Sequence, residues 1–172
     1  MENKNCTMQL KSLNTMNKIA GYASVFNIKD YHNDIIKSGA FAKSINNKSP
    51  DNIKILWQHQ QDKPIGLCKK IYEDHYGLYI EAELLLEIPI AKEAYALVKA
   101  GVATGLSIGY KVDKSKIDEE GNRILEEIDL WEISLVTFPA NQLSQISEVK
   151  FNAQNSIKLL QSIRNSIKIL TF

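Results

Sequence analysis

The sequence predicts a single, mostly β domain with flanking helices. Its 172 residues suit one domain whose core needs no disulfide or metal. Between residues 18 and 138, short apolar runs of strand type alternate with clusters of Gly, Pro, Asn and Asp. Two segments instead repeat apolar residues at the three- and four-residue spacing of an amphipathic helix. Strands therefore dominate, and the helices lie beside them.

The predicted strands follow one another closely. Residues 1–6 are typical of a frayed end, and residues 7–13 alternate loosely enough for a first strand. A stronger strand at 18–26 leads into a polar loop at 27–39. A turn at 64–66 is expected to lead into the next strand, and residues 113–122 indicate a charged loop. The other predicted extended runs are 53–59, 66–72, 78–86, 106–112 and 123–138, the last broken near Asp129.

Helical patterns occur at three places. Residues 40–45 allow one or two turns, and residues 89–101 form an amphipathic helix with Pro89 in the first turn and Gly101 as C-cap. Residues 155–172 carry a second apolar stripe. The predicted organisation is an N-terminal segment with the first strand (1–17), the β domain (18–141), a linker (142–154) and a C-terminal amphipathic helix (155–172).

Composition narrows the classes of function. The formal charge is +1, with 21 basic and 20 acidic side chains, so no single-sign field favours nucleic acid or an anionic membrane. The N-terminus lacks the apolar core of a signal peptide, and no run approaches a membrane span. Cys6 and Cys68 are expected to be reduced thiols. We expect a soluble intracellular protein without a cofactor.

Three polar residues of catalytic type lie within strand-like apolar segments. Ser107 is flanked by Gly105 and Gly109, His59 ends the run at 53–59, and Glu132 follows a tryptophan in an apolar run. A hydroxyl, an imidazole and a carboxylate are the parts of a nucleophile, base and orienting-acid relay. If the three segments are neighbouring strands, the sequence predicts a serine hydrolase, although spacing alone does not make them neighbours.

Other interpretations of these residues stay open. A strand serine often only fills space, although glycine at positions 105 and 109 suggests that a substrate backbone approaches closely. Glu132 is as consistent with a salt bridge to a lysine or arginine as with a bond to the histidine. A metal site would draw on His32, Asp34, His59 and His75, but the spacing matches no zinc pattern. A Cys68 nucleophile lacks a neighbouring basic cluster.

Several blocks, in one order, resemble the prohead maturation proteases of tailed phages, a group related in fold to the herpesvirus assemblins. The resemblance covers residues 21 to about 141. Its blocks are GYASVF (21–26), Asp34–Ile35 with Gly39–Phe41, WQH (57–59), GLSIGY (105–110) and EISLVTFPAN (132–141).

The resemblance implies a largely antiparallel β-barrel of the herpesvirus-protease type and a relay of His59, Ser107 and Glu132. The herpesvirus enzymes use a histidine as third member and arginines in the oxyanion hole. Residues 137–141 contain no arginine. Backbone groups of the Pro139–Ala140–Asn141 turn, with the Asn141 side chain, are therefore expected to serve instead. Gly105 and Gly109 are expected to help position substrate.

The implied function is a serine endopeptidase of capsid maturation. It would cleave scaffold, or the scaffolding segment of the major capsid protein, and also itself, inside the prohead assembling in the host cytoplasm. The partners implied are that capsid protein, the scaffold and further copies of this chain in a homodimer or larger oligomer. The C-terminal helix would pack on the core, form a dimer interface or be trimmed.

The principal alternative is a catalytically inactive β-barrel that serves capsid assembly. An esterase would be a third possibility. It is disfavoured because Ser107 is expected between two strands, whereas the nucleophile of an α/β-hydrolase lies between a strand and a helix.

Overall fold

The computed structural model describes residues 2–6, 17–139, 141 and 143, with backbone pairing only for residues 2–6. Ala140, the predicted strand at 7–13, the linker at 142–154 apart from Leu143, and the helix at 155–172 lie outside the described residues. In the described part the elements are, in order, β1 (Glu2–Cys6), β2 (Lys18–Val25), β3 (Asp34–Ile36), α1 (Ala42–Asn47), a 3-10 turn (Pro50–Asn52), β4 (Lys54–Trp57), β5 (Gln60–Glu73), β6 (Gly77–Leu84), α2 (Pro89–Lys99), β7 (Gly105–Ile117) and β8 (Arg123–Val136).

The strands form one curled sheet in the order β1-β7-β8-β4-β5-β6-β2. Neighbouring strands are antiparallel except β4 and β8, which are parallel, and β3 adds a short parallel pairing at the start of β8. The two end strands, β1 and β2, contact each other, so the sheet curls towards a barrel. The predicted mostly β, largely antiparallel fold with flanking helices is confirmed.

One contiguous core joins strands β2 to β8 with helix α2. Its large, fully buried side chains include Phe41, Ile80, Ile108 and Tyr110. The first half of β7 and the last five residues of β8 are buried throughout, whereas the remainder of both strands is largely exposed or half-buried. A polar side chain near residues 105–110 or 132–136 is therefore surrounded by protein rather than water, and its hydrogen bonds must be made within the protein.

Helix α2 is built as the sequence predicts. Pro89 occupies its first turn, and Ala91, Ala94 and Val98 form the face that packs against β4, β5 and β6. Gly101 follows the helix with a left-handed φ of 72°. Its N–H donates to the carbonyl of Val98, and the next amide donates to Leu97, which is a Schellman cap.

The structure corrects several predicted strand boundaries. Residues 2–6, expected to fray, pair with β7. The loop at 27–39 contains β3, whose Asp34 carboxylate accepts two hydrogen bonds from the Arg123 guanidinium, at 3.0 and 2.8 Å. Pro64 does not turn the chain, because β5 already begins at Gln60. The reversal comes earlier, at Gln58 and His59.

Two predicted interruptions, the loop at 113–122 and the break near Asp129, are mostly strand. β7 continues to Ile117, so only residues 118–122 form the turn. β8 is continuous, but its register with β7 shifts between the Gly109–Glu132 and Tyr110–Leu130 pairs, which makes Trp131 an extra residue. Such a bulge breaks the alternation of apolar residues without ending the strand.

Candidate active site

Strand β8 lies between β7 and β4, and this order brings the three candidate segments together. Ser107 on β7 lies opposite Ser134 of β8, and Gly109 lies opposite Glu132. On the other side, Leu56 of β4 is the partner of Ser134. The sequence-based condition that the three segments be neighbours is therefore met.

Ser107, His59 and Glu132 form a continuous chain of hydrogen bonds. The Nδ1 atom of His59 lies 2.7 Å from Oε1 of Glu132, and its Nε2 atom is hydrogen-bonded to Oγ of Ser107. A carboxylate can only accept a hydrogen bond, so Nδ1 carries the proton. Nε2 then faces the serine as the acceptor. This is the tautomer that a general base next to a hydroxyl nucleophile requires.

The relay is nearly dry. Ser107 has no exposed surface, and the side chains of His59 and Glu132 are 14% and 3% exposed. In surroundings of low dielectric constant, each of these hydrogen bonds is stronger than it would be in water. Both carboxylate oxygens of Glu132 are engaged, one by His59 and one by the hydroxyl of Ser134. Its two oxygens thus contact His59 and Ser134, not the lysine or arginine that the sequence left open.

The histidine occupies an unusual backbone position. Gln58 and His59 form the two-residue turn between β4 and β5, with φ angles of 51° and 59°. Left-handed backbone at both central residues is typical of a type I′ hairpin, in which Asn-Gly is preferred. For other residues this conformation costs roughly 1–2 kcal/mol each. This turn places the imidazole between Ser107 of β7 and Glu132 of β8.

Strand β8 holds this turn through several contacts. The Gln58 amide donates to the Leu135 carbonyl at 2.9 Å, and the Gln58 side-chain amide donates to Oγ1 of Thr137 at 2.8 Å. The His59 amide donates to Oγ of Ser134 at 3.1 Å. Sequence analysis missed these contacts. For Ser134 a signal exists, since it lies two residues after Glu132 and so faces the same side of the strand.

The glycines beside Ser107 make room for the protein's own atoms. A Cβ atom at position 109 would lie 2.7 Å from Cγ and 2.8 Å from Cδ of Glu132. At position 105 it would lie 2.9 Å from the Pro139 ring and 2.9 Å from the Val136 carbonyl. Gly109 thus lets the carboxylate lie against β7, and Gly105 lets the segment after β8 fold back over the start of β7.

The segment after β8 contains the predicted oxyanion residues. Asn141 is buried, with 2% of its surface exposed, and its Oδ1 accepts a hydrogen bond from the Leu143 amide at 3.1 Å. The Pro139 ring lies against Gly105, two residues before Ser107. The chain therefore passes close to the start of β7, near Ser107, at this point.

The competing sites are separated in the structure. Asp34 is bonded to Arg123 and His59 to the relay, so these candidate metal ligands lie apart. Within the described segments, no group of three His, Cys, Asp or Glu side chains is close enough to hold a metal ion. Burial raises the pKa of the Cys68 thiol to about 12, which disfavours a thiolate nucleophile.

The part of the chain that is described contains no helix long and apolar enough to cross a bilayer. This finding concerns residues 2–6, 17–139, 141 and 143 alone.

The chain is similar in sequence to known phage proteins. The prohead protease of Enterobacteria phage HK97 is 33% identical over 152 residues, which are 86% of this chain and 66% of that protein. The prohead protease of Escherichia phage T5 is 32% identical over 136 residues, which are 77% of this chain and 63% of that protein. The chain thus spans just under two thirds of the length of these relatives.

The chain also resembles a solved structure in fold. The structure of the bacteriophage T4 capsid assembly protease, gp21, superposes with a TM-score of 0.64 over 80% of this chain and 97% of that chain, at 12% identity. The family model of caudovirus prohead serine proteases matches residues 4–158, which include Ser107, His59 and Glu132. The chain belongs to the caudovirus prohead serine protease family.

Proposed function

We propose that the chain is a serine endopeptidase of phage capsid maturation with Ser107 as nucleophile, His59 as general base and Glu132 as the orienting acid. The observation that carries the proposal is the unbroken hydrogen-bond chain from the Ser107 hydroxyl through the imidazole to the Glu132 carboxylate. It joins a weak nucleophile to the base that activates it and to the group that orients the base.

The chemistry follows from this arrangement. The Ser107 oxygen attacks the carbonyl carbon of the scissile peptide bond while Nε2 of His59 takes the hydroxyl proton. The carbon–nitrogen bond then breaks, and the imidazolium returns the proton to the departing amine. Water, activated by the same nitrogen, attacks the acyl-serine ester and releases the second product and free Ser107.

Glu132 has two roles in this sequence. It accepts the Nδ1 hydrogen bond and so selects the tautomer of the neutral ring whose lone pair lies on Nε2. As the imidazolium forms, the adjacent negative charge stabilises it without itself taking the proton. The 3% exposure of the carboxylate side chain strengthens this electrostatic interaction, since little water screens the pair.

For the oxyanion we propose backbone donors of the segment from Pro139 to Asn141, together with the Asn141 side chain. Pro139 has no N–H, so the donors come from the residues after it. The support is the approach of this segment to Gly105 and the burial of Asn141. Replacing Asn141 with Ala tests the side-chain part, because unchanged cleavage would leave only the backbone donors.

A peptide must gain access to a buried hydroxyl. Since Ser107 has no exposed surface, the carbonyl carbon of the substrate reaches Oγ only after neighbouring segments move. The 14% exposure of the His59 side chain marks the side from which the relay is nearest to solvent. Gly105 and Gly109 lie two residues to either side of Ser107 on the same strand, and we propose that this part of β7 helps to position the peptide.

We assign the substrate from the relatives. Two of them are prohead proteases and the T4 structure is a capsid assembly protease. The proposed substrates are therefore the scaffold or the scaffolding segment of the major capsid protein, and the chain itself. The proposed place is the assembling prohead in the host cytoplasm, where the chain acts as a homodimer or larger oligomer.

Co-expression with the major capsid protein of the same phage tests the function. Wild type and Ser107→Ala are compared by the intact mass of both chains and by electron microscopy of the shells. Shortened chains only with the wild type support the proposal. Full-length chains in assembled shells for both would instead indicate a catalytically inactive assembly factor, a function that the complete burial of Ser107 favours.

A further inference from the structure

We propose that Ser134 is a positioning residue of the relay: its hydroxyl fixes the Glu132 carboxylate and the histidine turn to the same strand. The inference rests on the proposed function and adds a fourth side chain, on β8, that touches neither substrate nor the reacting atoms. It acts through the orientation of Glu132 and His59.

The hydrogen bonds of Ser134 have only one possible direction each. Its Oγ lies 2.8 Å from Oε2 of Glu132 and 3.1 Å from the backbone nitrogen of His59. An amide can only donate and a carboxylate can only accept. The single hydroxyl proton therefore goes to Glu132, and the oxygen receives the His59 N–H. Ser134 has no exposed surface, so water does not replace either bond.

The histidine turn needs such a restraint. Gln58 and His59 are both left-handed at φ angles of 51° and 59°, a conformation that non-glycine residues rarely adopt in succession. Both backbone amides of the turn donate hydrogen bonds to β8. The Gln58 amide donates to the Leu135 carbonyl at 2.9 Å, and the His59 amide donates to the Ser134 hydroxyl. Through its hydroxyl, Ser134 links the backbone of His59 to the carboxylate of Glu132.

Loss of the hydroxyl would leave Oε2 of Glu132 and the His59 N–H without this shared partner inside the protein. A buried polar group without its partner is energetically costly, so we expect the carboxylate and the turn to shift towards other partners. The imidazole would then sample positions in which Nε2 is misaligned with Ser107. Misplacement by about 1 Å costs about 100-fold in rate in well-ordered active sites.

The chain contains a matched control. Ser44, also buried, donates to the Asp129 carboxylate at 3.1 Å and accepts from the Leu130 amide at 2.9 Å. It therefore makes the same two kinds of bond, to a carboxylate and from a backbone amide, outside the relay. Replacing Ser44 with Ala removes equivalent hydrogen bonds and controls for lost stability.

The experiment compares Ser134→Ala with Ser44→Ala in the full chain co-expressed with the major capsid protein. The rate of capsid-protein shortening is followed by pulse labelling and mass spectrometry. We expect Ser134→Ala to slow cleavage by about 10- to 100-fold and Ser44→Ala to leave it within about twofold. In protein with isotopically labelled histidine, the downfield NMR signal of the His59 Nδ1 proton should be weaker than in the wild type for Ser134→Ala. It should be unchanged for Ser44→Ala.

The outcomes distinguish a failure of the role of Ser134 from a failure of the proposed function. If the wild type cleaves and Ser134→Ala cleaves equally fast, or if both serine variants slow equally, the role of Ser134 is overturned. If the wild type itself does not cleave, the proposed function fails and the inference with it. Should Ser134→Ala not fold, Ser134→Cys keeps nearly the same volume with a poor donor. A wild-type rate in that variant also overturns the inference.

Discussion

Gly109 and Glu132 lie directly opposite each other on β7 and β8, and the Glu132 side chain occupies the space that a Cβ atom at position 109 would need. The strand of the proposed nucleophile thus lacks a side chain at the position where the proposed orienting acid, Glu132, lies against it. The structure of the relay depends on this absence as well as on its three polar members.

Replacement of Gly109 with Ala should therefore impair cleavage. The new methyl group would overlap with Cγ and Cδ of Glu132, at 2.7 and 2.8 Å, and displace the carboxylate from His59. We expect at least a tenfold loss of cleavage rate and about 1–3 kcal/mol of stability, measured by capsid processing and by urea unfolding. Gly121→Ala is the control, since at φ 81° it costs stability without touching the relay. Equal cleavage by both variants would contradict the explanation.

Replacement of Glu132 with Gln should reduce cleavage by about 10⁴-fold, the size of loss known when the acid of a comparable relay is neutralised. An amide does not stabilise the imidazolium and can present its NH₂ group to Nδ1, which favours the wrong tautomer. Glu127→Gln provides the control, because that carboxylate lies on the same strand and pairs with the exposed Lys43. A near-wild-type rate for Glu132→Gln would make Glu132 a structural residue.

Cys68 should be dispensable for cleavage. It is completely buried, and burial raises its thiol pKa to about 12, so almost no thiolate exists at neutral pH. We expect Cys68→Ala to process the capsid protein within about twofold of the wild-type rate, with a stability loss of about 1 kcal/mol for the smaller side chain. Loss of processing in a variant that remains folded would revive the cysteine alternative.

Stability should depend on pH through Asp74, in the turn between β5 and β6. Burial alone would raise the pKa of its carboxyl, but hydrogen bonds from the Tyr22 hydroxyl and the Gly77 and Tyr76 amides outweigh burial and lower it. A lowered pKa in the folded state contributes stability above the unfolded-state value, and this stability is lost as pH falls through the folded-state value.

Tyr22→Phe removes one of these bonds and tests the sign. We expect a loss of about 1 kcal/mol at pH 7, which shrinks as the carboxyl becomes protonated in both proteins. Urea unfolding between pH 7 and pH 3 measures the difference. A difference that grows as the pH falls would contradict the assignment of the lowered pKa to Asp74.

The sequence was sufficient for the catalytic candidates because their surroundings are locally unusual. Ser107 lies between two glycines, and Glu132 lies in a run that is otherwise apolar after Trp131. The positions of these residues on particular strands could also be predicted, since strands of alternating or continuous apolar character are recognisable from a single sequence.

The relation between the segments could not be predicted in the same way. The parallel pairing of β4 with β8 joins residues that are 78 positions apart, as in the pair Lys54 and Glu132, and no local pattern encodes it. Nor does Gln58–His59 match the Asn-Gly or Asp-Gly pairs that favour a left-handed hairpin turn. The sequence therefore did not predict that His59 lies in such a turn. The bond from the His59 amide to Ser134 likewise depends on the pairing of β4 with β8, which brings the β4–β5 turn beside Ser134.

The central claim is that Ser107 is the nucleophile, and covalent modification tests it most directly. Proheads in which the wild-type chain cleaves the capsid protein are treated with diisopropyl fluorophosphate, and the modified residue is mapped by peptide mass spectrometry. Cleavage should stop, and the phosphoryl group should be found on Ser107, with none on that residue in His59→Ala. Inhibition with the group attached at another residue, or continued cleavage by a chain fully modified at Ser107, would contradict the account.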